Sequence, residues 1–380
     1  MSSQIGNKLK VSVFGESHGR GIGAVIDGFP AGMKIDMDEL LTFMKRRAPG
    51  RDKTATPRRE EDLPQILSGV LDDVTCGTPI ACVIANKDHV EDLKRCITSI
   101  QKNSTWSNYE IIVVENNSTT PEIKDYYSQL LGLSGDDSYE ERCKLHTVCG
   151  HDGGILHSGD GRISIVTYHG DFNYSAVNDL GASYASGEYI LLLNNDTEMI
   201  DGGCIREMLG YCMREDVGIV GAKLLYADDT IQHAGVILGF GGTAGHAFIG
   251  KSRYDTGYFG RILCTQDYSA VTAACMMTKR EAFEAVGGMT EELAVAFNDV
   301  DFCLKVRKEG YLVVYQPRVE AYHYESKSRG SEDSPEKVAR FGREIEYMRN
   351  HWIGILKNGD PYYNPNFSTV YPNYALRDYH

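Results

Sequence analysis

The chain has 380 residues, 42% of them hydrophobic, and a formal net charge of −14 at pH 7. This length is enough for a sizeable core, and the acidic balance disfavours binding to nucleic-acid phosphates or to anionic membrane surfaces. No stretch approaches the roughly 20 apolar residues of a membrane span, and the first ten residues lack the apolar segment of a secretory signal. We therefore expect a cytoplasmic enzyme without a nucleic-acid partner or a transmembrane segment, which can still meet the inner membrane through its substrate.

The ten cysteines are scattered along the chain, and many of them lie in apolar runs such as residues 273–277. This placement favours buried thiols over a disulfide framework. Reduced cysteines agree with a cytoplasmic location.

The first 85 residues are dense in glycine and charge, and few regular elements are predicted there. Residues 11–14 are typical of a short strand, and residues 36–46 carry apolar side chains at helical spacing. The character of the sequence changes after residue 86. We expect three parts: residues 1–85, an α+β fragment; residues 86–330, the main domain; and residues 331–380, a C-terminal helix and tail.

Strands and helices then alternate, which predicts an α/β fold with a predominantly parallel sheet and flanking helices. Residues 131–161, rich in Gly, Asp and Ser, are predicted to form an inserted loop. Ser334 and Pro335 are suited to begin a helix that packs on the main domain through apolar residues up to Trp352. The other predicted strands are residues 79–85, 110–114, 163–168, 188–193, 218–225 and 311–315, and the other predicted helices are residues 90–100, 175–185 and 301–309.

The strand predicted at residues 188–193 runs directly into Asn194, Asn195 and Asp196. A carboxylate at a strand end can hold a divalent cation that keeps coordination positions open for phosphate oxygens, which suits Mg²⁺ or Mn²⁺. The same four residues, Asn-Asn-Asp-Thr, are also typical of a β-turn. Asp196 is therefore either a metal ligand or a turn residue.

Two further polar residues are candidates for the same site. Asp299 precedes a predicted helix, where it is free to point into a cleft as a general base, although a helix cap is the alternative. Asp301, two residues further on, is better suited to be a cap. His323 follows a predicted strand, and its imidazole either completes the cation site with Asp196 or is merely structural.

Taken together, these motifs resemble the family 2 glycosyltransferases of GT-A type, particularly the bacterial rhamnosyl and cell-wall-polysaccharide transferases. The resemblance covers about residues 84–352. The resemblance rests on five segments: A-N-K-D-H-V-E-D-L, I-I-V-V-E-N-N-S-T, F-N-Y-S-A-V-N-D-L-G-A-S-Y-A-S-G-E-Y-I-L-L-L-N-N-D, A-F-N-D-V-D-F-C-L-K and Y-H-Y-E-S-K-S-R-G. It assigns the following roles: Glu115, Asn178, Asn194 and Asn195 to the donor nucleotide, Asp196 and His323 to the metal, and Asp299 to base catalysis.

The resemblance implies an inverting, metal-dependent transfer of a sugar from a nucleoside-diphosphate sugar to a glycan or cell-surface polysaccharide. Asp299 would deprotonate the acceptor hydroxyl, which attacks the anomeric carbon from the face opposite the nucleotide. The sugar itself would be read by the loops at residues 232–235 and 272–275. The sequence departs from the pattern at Asn194, where many relatives have Asp, and at Ala85, where proline is common.

A second resemblance covers the first 85 residues, where G-E-S-H-G, I-D-G-F-P-A-G, R-R-A-P-G, T-P-R-R-E-E-D and S-G-V-L-D-D-V-T-C-G-T-P-I follow in order. They resemble the N-terminus of chorismate synthase, an FMN-dependent family that eliminates phosphate from enolpyruvylshikimate phosphate, and His18 matches its active-site histidine. The resemblance stops near Asn86, so most of the flavin site has no counterpart.

The combination predicts a fusion or a chimeric gene, with an accessory domain as the alternative account of residues 1–85. Chorismate synthase activity is the alternative function. A third possibility is a chain whose first strand is damaged at the junction, so that it binds nucleotide poorly.

Overall fold

The computed structural model describes residues 3–5, 10–15, 22–27, 35–47, 70–71, 74–75, 80–135, 137–148, 154–324 and 334–377. The chain divides into two compact units, Met1–Thr78 and Pro79–His380. The strand predicted at residues 79–85 therefore belongs to the second unit.

The described part of the first unit contains short antiparallel pairings and one helix. Strand β2 pairs with both β1 and β3, and β4 pairs with β5. The Asp36 carboxylate accepts the Glu39 amide at 2.9 Å, so it caps the helix that was predicted here. The elements are β1 (Ser3–Ile5), β2 (Lys10–Gly15), β3 (Ile22–Asp27), α1 (Met37–Arg47), β4 (Val70–Leu71) and β5 (Val74–Thr75).

The second unit contains one large sheet with helices against it. Its strands are β6 (Ile80–Asn86), β7 (Tyr109–Glu115), β8 (Ile155–His157), β9 (Ile163–Thr167), β10 (Tyr189–Asn194), β11 (Thr197–Met199), β12 (Val217–Leu225), β13 (Ile231–His233), β14 (Val236–Leu238), β15 (Ala244–His246), β16 (Gln266–Asp267), β17 (Cys275–Lys279) and β18 (Leu312–His323). Its helices are α2 (Val90–Asn103), α3 (Pro121–Leu131), α4 (Tyr139–Val148), α5 (Tyr174–Tyr184), α6 (Cys204–Cys212), α7 (Arg280–Ala285), α8 (Asn298–Lys308), α9 (Pro335–His351) and α10 (Ile353–Asn358). In the described part of the chain, no helix combines the length and the apolar surface that crossing a bilayer requires.

The strand order of the large sheet is β11-β18-β12-β17-β10-β6-β7-β9-β8. Strands β10, β6, β7 and β9 are parallel to one another, and β12 is parallel to β18. Strand β17 lies between β10 and β12 and is antiparallel to both, so all six of these strands point in one direction. The predicted α/β class with a mostly parallel sheet is confirmed, and the carboxyl ends of these strands share one edge.

The segment predicted as an inserted loop, residues 131–161, contains helix α4 and strand β8. Strand β8 pairs antiparallel with β9, and Tyr139 at the start of α4 packs edge-on against Tyr127, with ring centroids 5.0 Å apart. Among the described residues of this segment, most of the Gly, Asp and Ser residues lie in the turns at residues 132–135, 137–138 and 158–161. Composition averaged over the whole segment therefore concealed two short elements.

Helix α9 begins as predicted, because the Ser334 side chain accepts the Lys337 amide and Pro335 is the first helical residue. Its packing differs from the predicted apolar stripe. Phe341 is 44% exposed, whereas the fully buried side chains are Met348 and the charged Glu344. The helix docks partly through hydrogen bonds, which apolar spacing cannot predict.

Helix α5 approaches the sheet closely at Gly181. A Cβ at this position would lie 2.4 Å from Val83 Cγ1 and 2.8 Å from Val114 Cγ2. We expect Gly181→Ala to lower the free energy of unfolding by about 1–3 kcal/mol, because overpacking forces the helix away from β6 and β7. Denaturant unfolding of the full chain measures the effect.

Gly210→Ala is the matched control for this variant. Gly210 lies in helix α6, and nothing lies within 4 Å of the added Cβ. Alanine is the better helix former by about 0.8–1 kcal/mol, so this variant should be as stable as the wild type or more stable. Equal stability of the two variants would contradict close packing at Gly181.

Candidate active site

The carboxyl-terminal edge of the sheet brings together polar side chains from four parallel strands. Asn86, Glu115, Asn194 and His323 are the last residues of β6, β7, β10 and β18. The Nδ2 atom of Asn195 donates to Asn86 Oδ1 at 2.7 Å and so links two of these strand ends. The predicted strand-end residues therefore lie along one edge.

Asp196 lies in the turn between β10 and β11, and this turn directs it towards His323. Strand β11 pairs with the end of β18, with Thr197 opposite His323. The Asp196 Oδ1 atom is 3.2 Å from His323 Nε2, and Asn194 Nδ2 is 3.0 Å from the same nitrogen. The two alternatives for Asp196 are thus compatible, since the β-turn itself places the carboxylate beside the imidazole.

Gln232 fixes the orientation of the His323 ring. Gln232 Oε1 is 2.7 Å from His323 Nδ1, and Gln232 Nε2 is 3.4 Å from the His323 carbonyl oxygen. Because a backbone carbonyl can only accept, the amide nitrogen must face it and Oε1 must face Nδ1, which therefore carries the proton. In the neutral ring, Nε2 then presents a lone pair towards Asn194 and Asp196.

His323 Nε2 and Asp196 Oδ1, 3.2 Å apart, form an ion pair when the ring is protonated, and the neutral ring and the carboxylate can instead share a cation. One carboxylate oxygen and one imidazole nitrogen are donors that Mn²⁺ accepts, so the residues fit a divalent cation. No cluster of three or more His, Cys, Asp or Glu residues suited to a metal occurs in the described ranges. The remaining ligands of such a cation would be water or oxygens of a substrate.

Asp299 lies in the first turn of α8, after Phe297, whose backbone is left-handed with φ 62°. Its Oδ1 accepts the Val300 amide at 2.8 Å, and its Oδ2 lies 3.3 Å from the Ala273 amide. Asp301 is buried in the same helix, where it accepts from Trp352 Nε1 at 2.7 Å and from Thr290 Oγ1 at 2.6 Å. Asp301 is therefore a structural residue, whereas Asp299 borders open space.

That space is a cavity of about 260 Å³. Three of the predicted site residues line it: Asn194, Asp299 and His323. Its walls also include the predicted sugar-reading positions Gln232 and Thr272. The other lining residues are Tyr174, Tyr226, His246, Ile249, Ala273, Ala274, Val295 and Asn298. A carboxylate suited to proton transfer thus shares one cavity with the imidazole of the candidate cation site.

Among the described residues, the predicted nucleotide contacts Glu115 and Asn178 do not line this cavity. Glu115 is buried, and its carboxylate accepts from the Ser118 amide, from Ser118 Oγ at 2.6 Å and from the Tyr127 hydroxyl. Asn178 is buried in α5, where its Nδ2 donates to the Tyr174 carbonyl at 2.8 Å, and its Oδ1 has no partner among the described residues. His18 lies outside the described residues.

Helix α9 supports the loop before Asp299. The buried Glu344 carboxylate accepts the amides of Val295 at 2.9 Å and Ala296 at 3.3 Å. Burial raises the pKa of the Glu344 carboxyl, while these amides and Arg340 act in the opposite direction. Neither this role of Glu344 nor the place of His246 in the cavity wall was predicted from the sequence. No local pattern indicates either partner.

The six strands of one direction, the antiparallel β17 and a cavity at their carboxyl-terminal edge define the α/β fold of the GT-A glycosyltransferases. The solved structure of GalNAc-T7 with UDP, GalNAc and Mn²⁺ has this fold, with a TM-score of 0.51 and 13% identity over 70% of this chain and 48% of that chain.

The chain is 41% identical over 302 residues to the uncharacterized protein y4gI of Sinorhizobium fredii, and 33% identical over 304 residues to the O-antigen biosynthesis protein RfbC of Myxococcus xanthus. Both alignments cover 79% of this chain, but they span only 30% and 21% of those two proteins.

Residues 9–103 match the family model of chorismate synthase. The GT-A fold and the chorismate synthase resemblance of the N-terminal region are therefore confirmed, whereas membership of family 2 stays a prediction. The chorismate synthase resemblance extends further than expected, because it continues beyond Asn86 through helix α2.

Proposed function

We propose that residues 80–377 form a metal-dependent glycosyltransferase that moves a sugar from a nucleoside-diphosphate sugar to a hydroxyl of a glycan or cell-surface polysaccharide. The observation that carries this proposal is the cavity that Asp299 shares with His323, beside Asp196. The Myxococcus relative is an O-antigen biosynthesis protein, which favours a polysaccharide acceptor.

Asp196 and His323 would hold the cation, and a bound Mg²⁺ or Mn²⁺ neutralises the charge of a departing diphosphate. Gln232 keeps Nε2 of His323 unprotonated, and a cation bound there would replace the hydrogen bond that Asn194 Nδ2 donates to this nitrogen. The Gln232 contact thus prepares the ring before a substrate arrives. Glu115, Asn178, Asn194 and Asn195 remain proposed contacts of the nucleotide.

Asp299 would act on the other substrate. Its carboxylate accepts the proton of the acceptor hydroxyl as the oxygen of that hydroxyl forms a bond to the anomeric carbon. The bond between that carbon and the diphosphate oxygen breaks at the same time, and the diphosphate leaves with the electron pair. Attack from the face opposite the diphosphate inverts the configuration.

The alternative function, chorismate synthase, rests on residues 9–103. The last part of this match comprises strand β6 and helix α2 of the second unit. Strand β6 pairs with β7 and β10 in the large sheet. The GT-A unit has a cavity with matching chemistry, so the transferase is the function that we favour.

Thermal unfolding of the full chain with UDP, GDP or dTDP tests the proposal. With Mn²⁺ present, the cognate diphosphate at about 100 times its Kd should raise the unfolding midpoint by about 5 °C, and without Mn²⁺ the shift should be smaller. The nucleotide found in this way identifies the sugar donors for a transfer assay. Stoichiometric FMN binding with turnover of enolpyruvylshikimate phosphate, and no response to any nucleotide, would favour the alternative.

A further inference from the structure

A second histidine, His246 at the end of β15, lines the same cavity as Asp299 and His323. Behind it lies His233, which is completely buried in β13. The Nδ1 atoms of His233 and His246 are 3.1 Å apart, and their rings meet edge-on at an interplanar angle of 82°. The two rings therefore share one hydrogen bond.

The backbone around His233 determines which nitrogen of this ring carries the proton. The Gly235 amide lies 3.3 Å from His233 Nε2, and the Thr272 amide lies 3.4 Å from the same atom. Because both amides can only donate, Nε2 must accept, and the proton of the neutral ring lies on Nδ1. Burial, followed by the neighbouring His246 and His323, lowers the pKa of His233 well below its usual value, which keeps the ring neutral.

This arrangement also determines the tautomer of His246. His233 Nδ1 donates, so His246 Nδ1 must accept, and the proton of the neutral His246 ring lies on Nε2. The outcome is opposite to that at His323, where Gln232 keeps the proton on Nδ1. One cavity thus contains an imidazole that accepts through Nε2 and another that donates through Nε2.

We propose that His246 donates a hydrogen bond from Nε2 to a sugar oxygen in the cavity, with His233 as the positioning residue that sets its tautomer. The inference rests on the proposed function. A neutral donor adds no charge beside the candidate cation site, and it matches the hydroxyl and ring oxygens of a sugar. That sugar is either the one transferred or the terminal sugar of the acceptor.

Two substitutions of His246 separate the two nitrogens. The amide nitrogen of Gln reaches the place of Nε2, whereas the Asn side chain ends near Nδ1. His246→Asn should still provide a hydrogen-bond acceptor for His233 Nδ1. It should lower kcat/KM by about 5- to 100-fold, because a hydrogen bond to the substrate is lost. His246→Gln should retain most of the activity while lowering the unfolding midpoint, because the buried His233 N–H loses its acceptor.

Separate KM measurements show which substrate His246 contacts. An increase in the KM for the nucleotide sugar assigns the contact to the transferred sugar, and an increase in the KM for the acceptor assigns it to the acceptor sugar. His351→Gln, on the exposed side of α9, is the control and should match the wild type in activity. Wild-type kinetics in His246→Asn would overturn the inference and leave the proposed function intact.

Nitrogen-15 NMR of the full chain labelled at histidine tests the tautomers without any substrate. We expect the proton on Nε2 for His246 and on Nδ1 for His233, with the signals assigned through the His246→Gln and His351→Gln spectra. A proton on Nδ1 of His246 would overturn the inference whether or not the chain transfers sugar. Absence of transfer by the wild type would count against the proposed function alone.

Discussion

Asp299→Asn is expected to lower the rate of sugar transfer by about 10²- to 10⁴-fold, the typical contribution of a general base. The amide cannot take the proton of the acceptor hydroxyl. Its oxygen can still accept the Val300 amide, which Asp299 Oδ1 accepts at 2.8 Å, so the first turn of α8 should be preserved. Initial rates and calorimetric titration with the nucleoside diphosphate and Mn²⁺ together measure the effect, and we expect an unchanged Kd.

Asp301→Asn is the matched control, since the same change is made two residues away in the same helix. Asp301 is 1% exposed and accepts from Trp352 and Thr290, so its substitution should lower the unfolding midpoint. Comparison of the two variants should therefore separate a loss of catalysis from a loss of stability. Turnover at the wild-type rate in Asp299→Asn would remove the base from the mechanism.

Asp196→Ala is expected to abolish the effect of Mn²⁺ on nucleotide binding and to lower kcat/KM by at least about 100-fold. Loss of residues that only orient a metal ligand costs about 10- to 100-fold in affinity or activity, and loss of a direct ligand should cost more. In the variant, the imidazole of His323 would be left without its carboxylate partner, which lies 3.2 Å away in the wild type. Calorimetric titration of the nucleotide with Mn²⁺ or with EDTA measures the effect.

Glu198→Gln is the control for the cation site. Glu198 lies two residues after Asp196, in β11, where it accepts from the Tyr324 hydroxyl at 2.7 Å and lines no part of the cavity. This variant should respond to Mn²⁺ as the wild type does. Full activity of Asp196→Ala in EDTA would exclude a role for the cation at this position.

The sequence predicted the parallel strands well because each is a short apolar run that ends in polar residues. Strand β17 was missed because its neighbours in the sheet, β10 and β12, are distant in sequence and its direction is reversed. Thr278 illustrates the difference: Glu281 follows it at the spacing of a capping box and helix α7 does begin at Arg280, yet Thr278 belongs to β17 and its hydroxyl donates to the Gly218 carbonyl within the sheet at 3.0 Å. Long-range pairing outweighed the local pattern.

The candidate site was predictable where strand ends supply it and not where loops do. Asn194 and Asp196 meet His323 because strands of one direction end at one edge and because β11, which follows β10, pairs with the end of β18. The strand prediction implies the shared edge but not this pairing. Gln232 and His246 reach the cavity from the short strands β13 and β15, which lie between β12 and β17 in the sequence. Their partners therefore cannot be inferred from residue spacing. The roles of Glu115, Asn178, Asn194 and Asn195 in nucleotide binding stay predictions.

Strand β6 has a consequence for how such chains can originate. Its first five residues, Ile80–Ile84, are completely buried, and it is hydrogen-bonded through its backbone to β7 on one side and to β10 on the other. Backbone pairing requires little more of the sequence than small or aliphatic side chains of the right size. A sequence segment from an unrelated enzyme that meets this condition can therefore form β6. The position of β6 in the sheet is thus a permissive site for gene recombination.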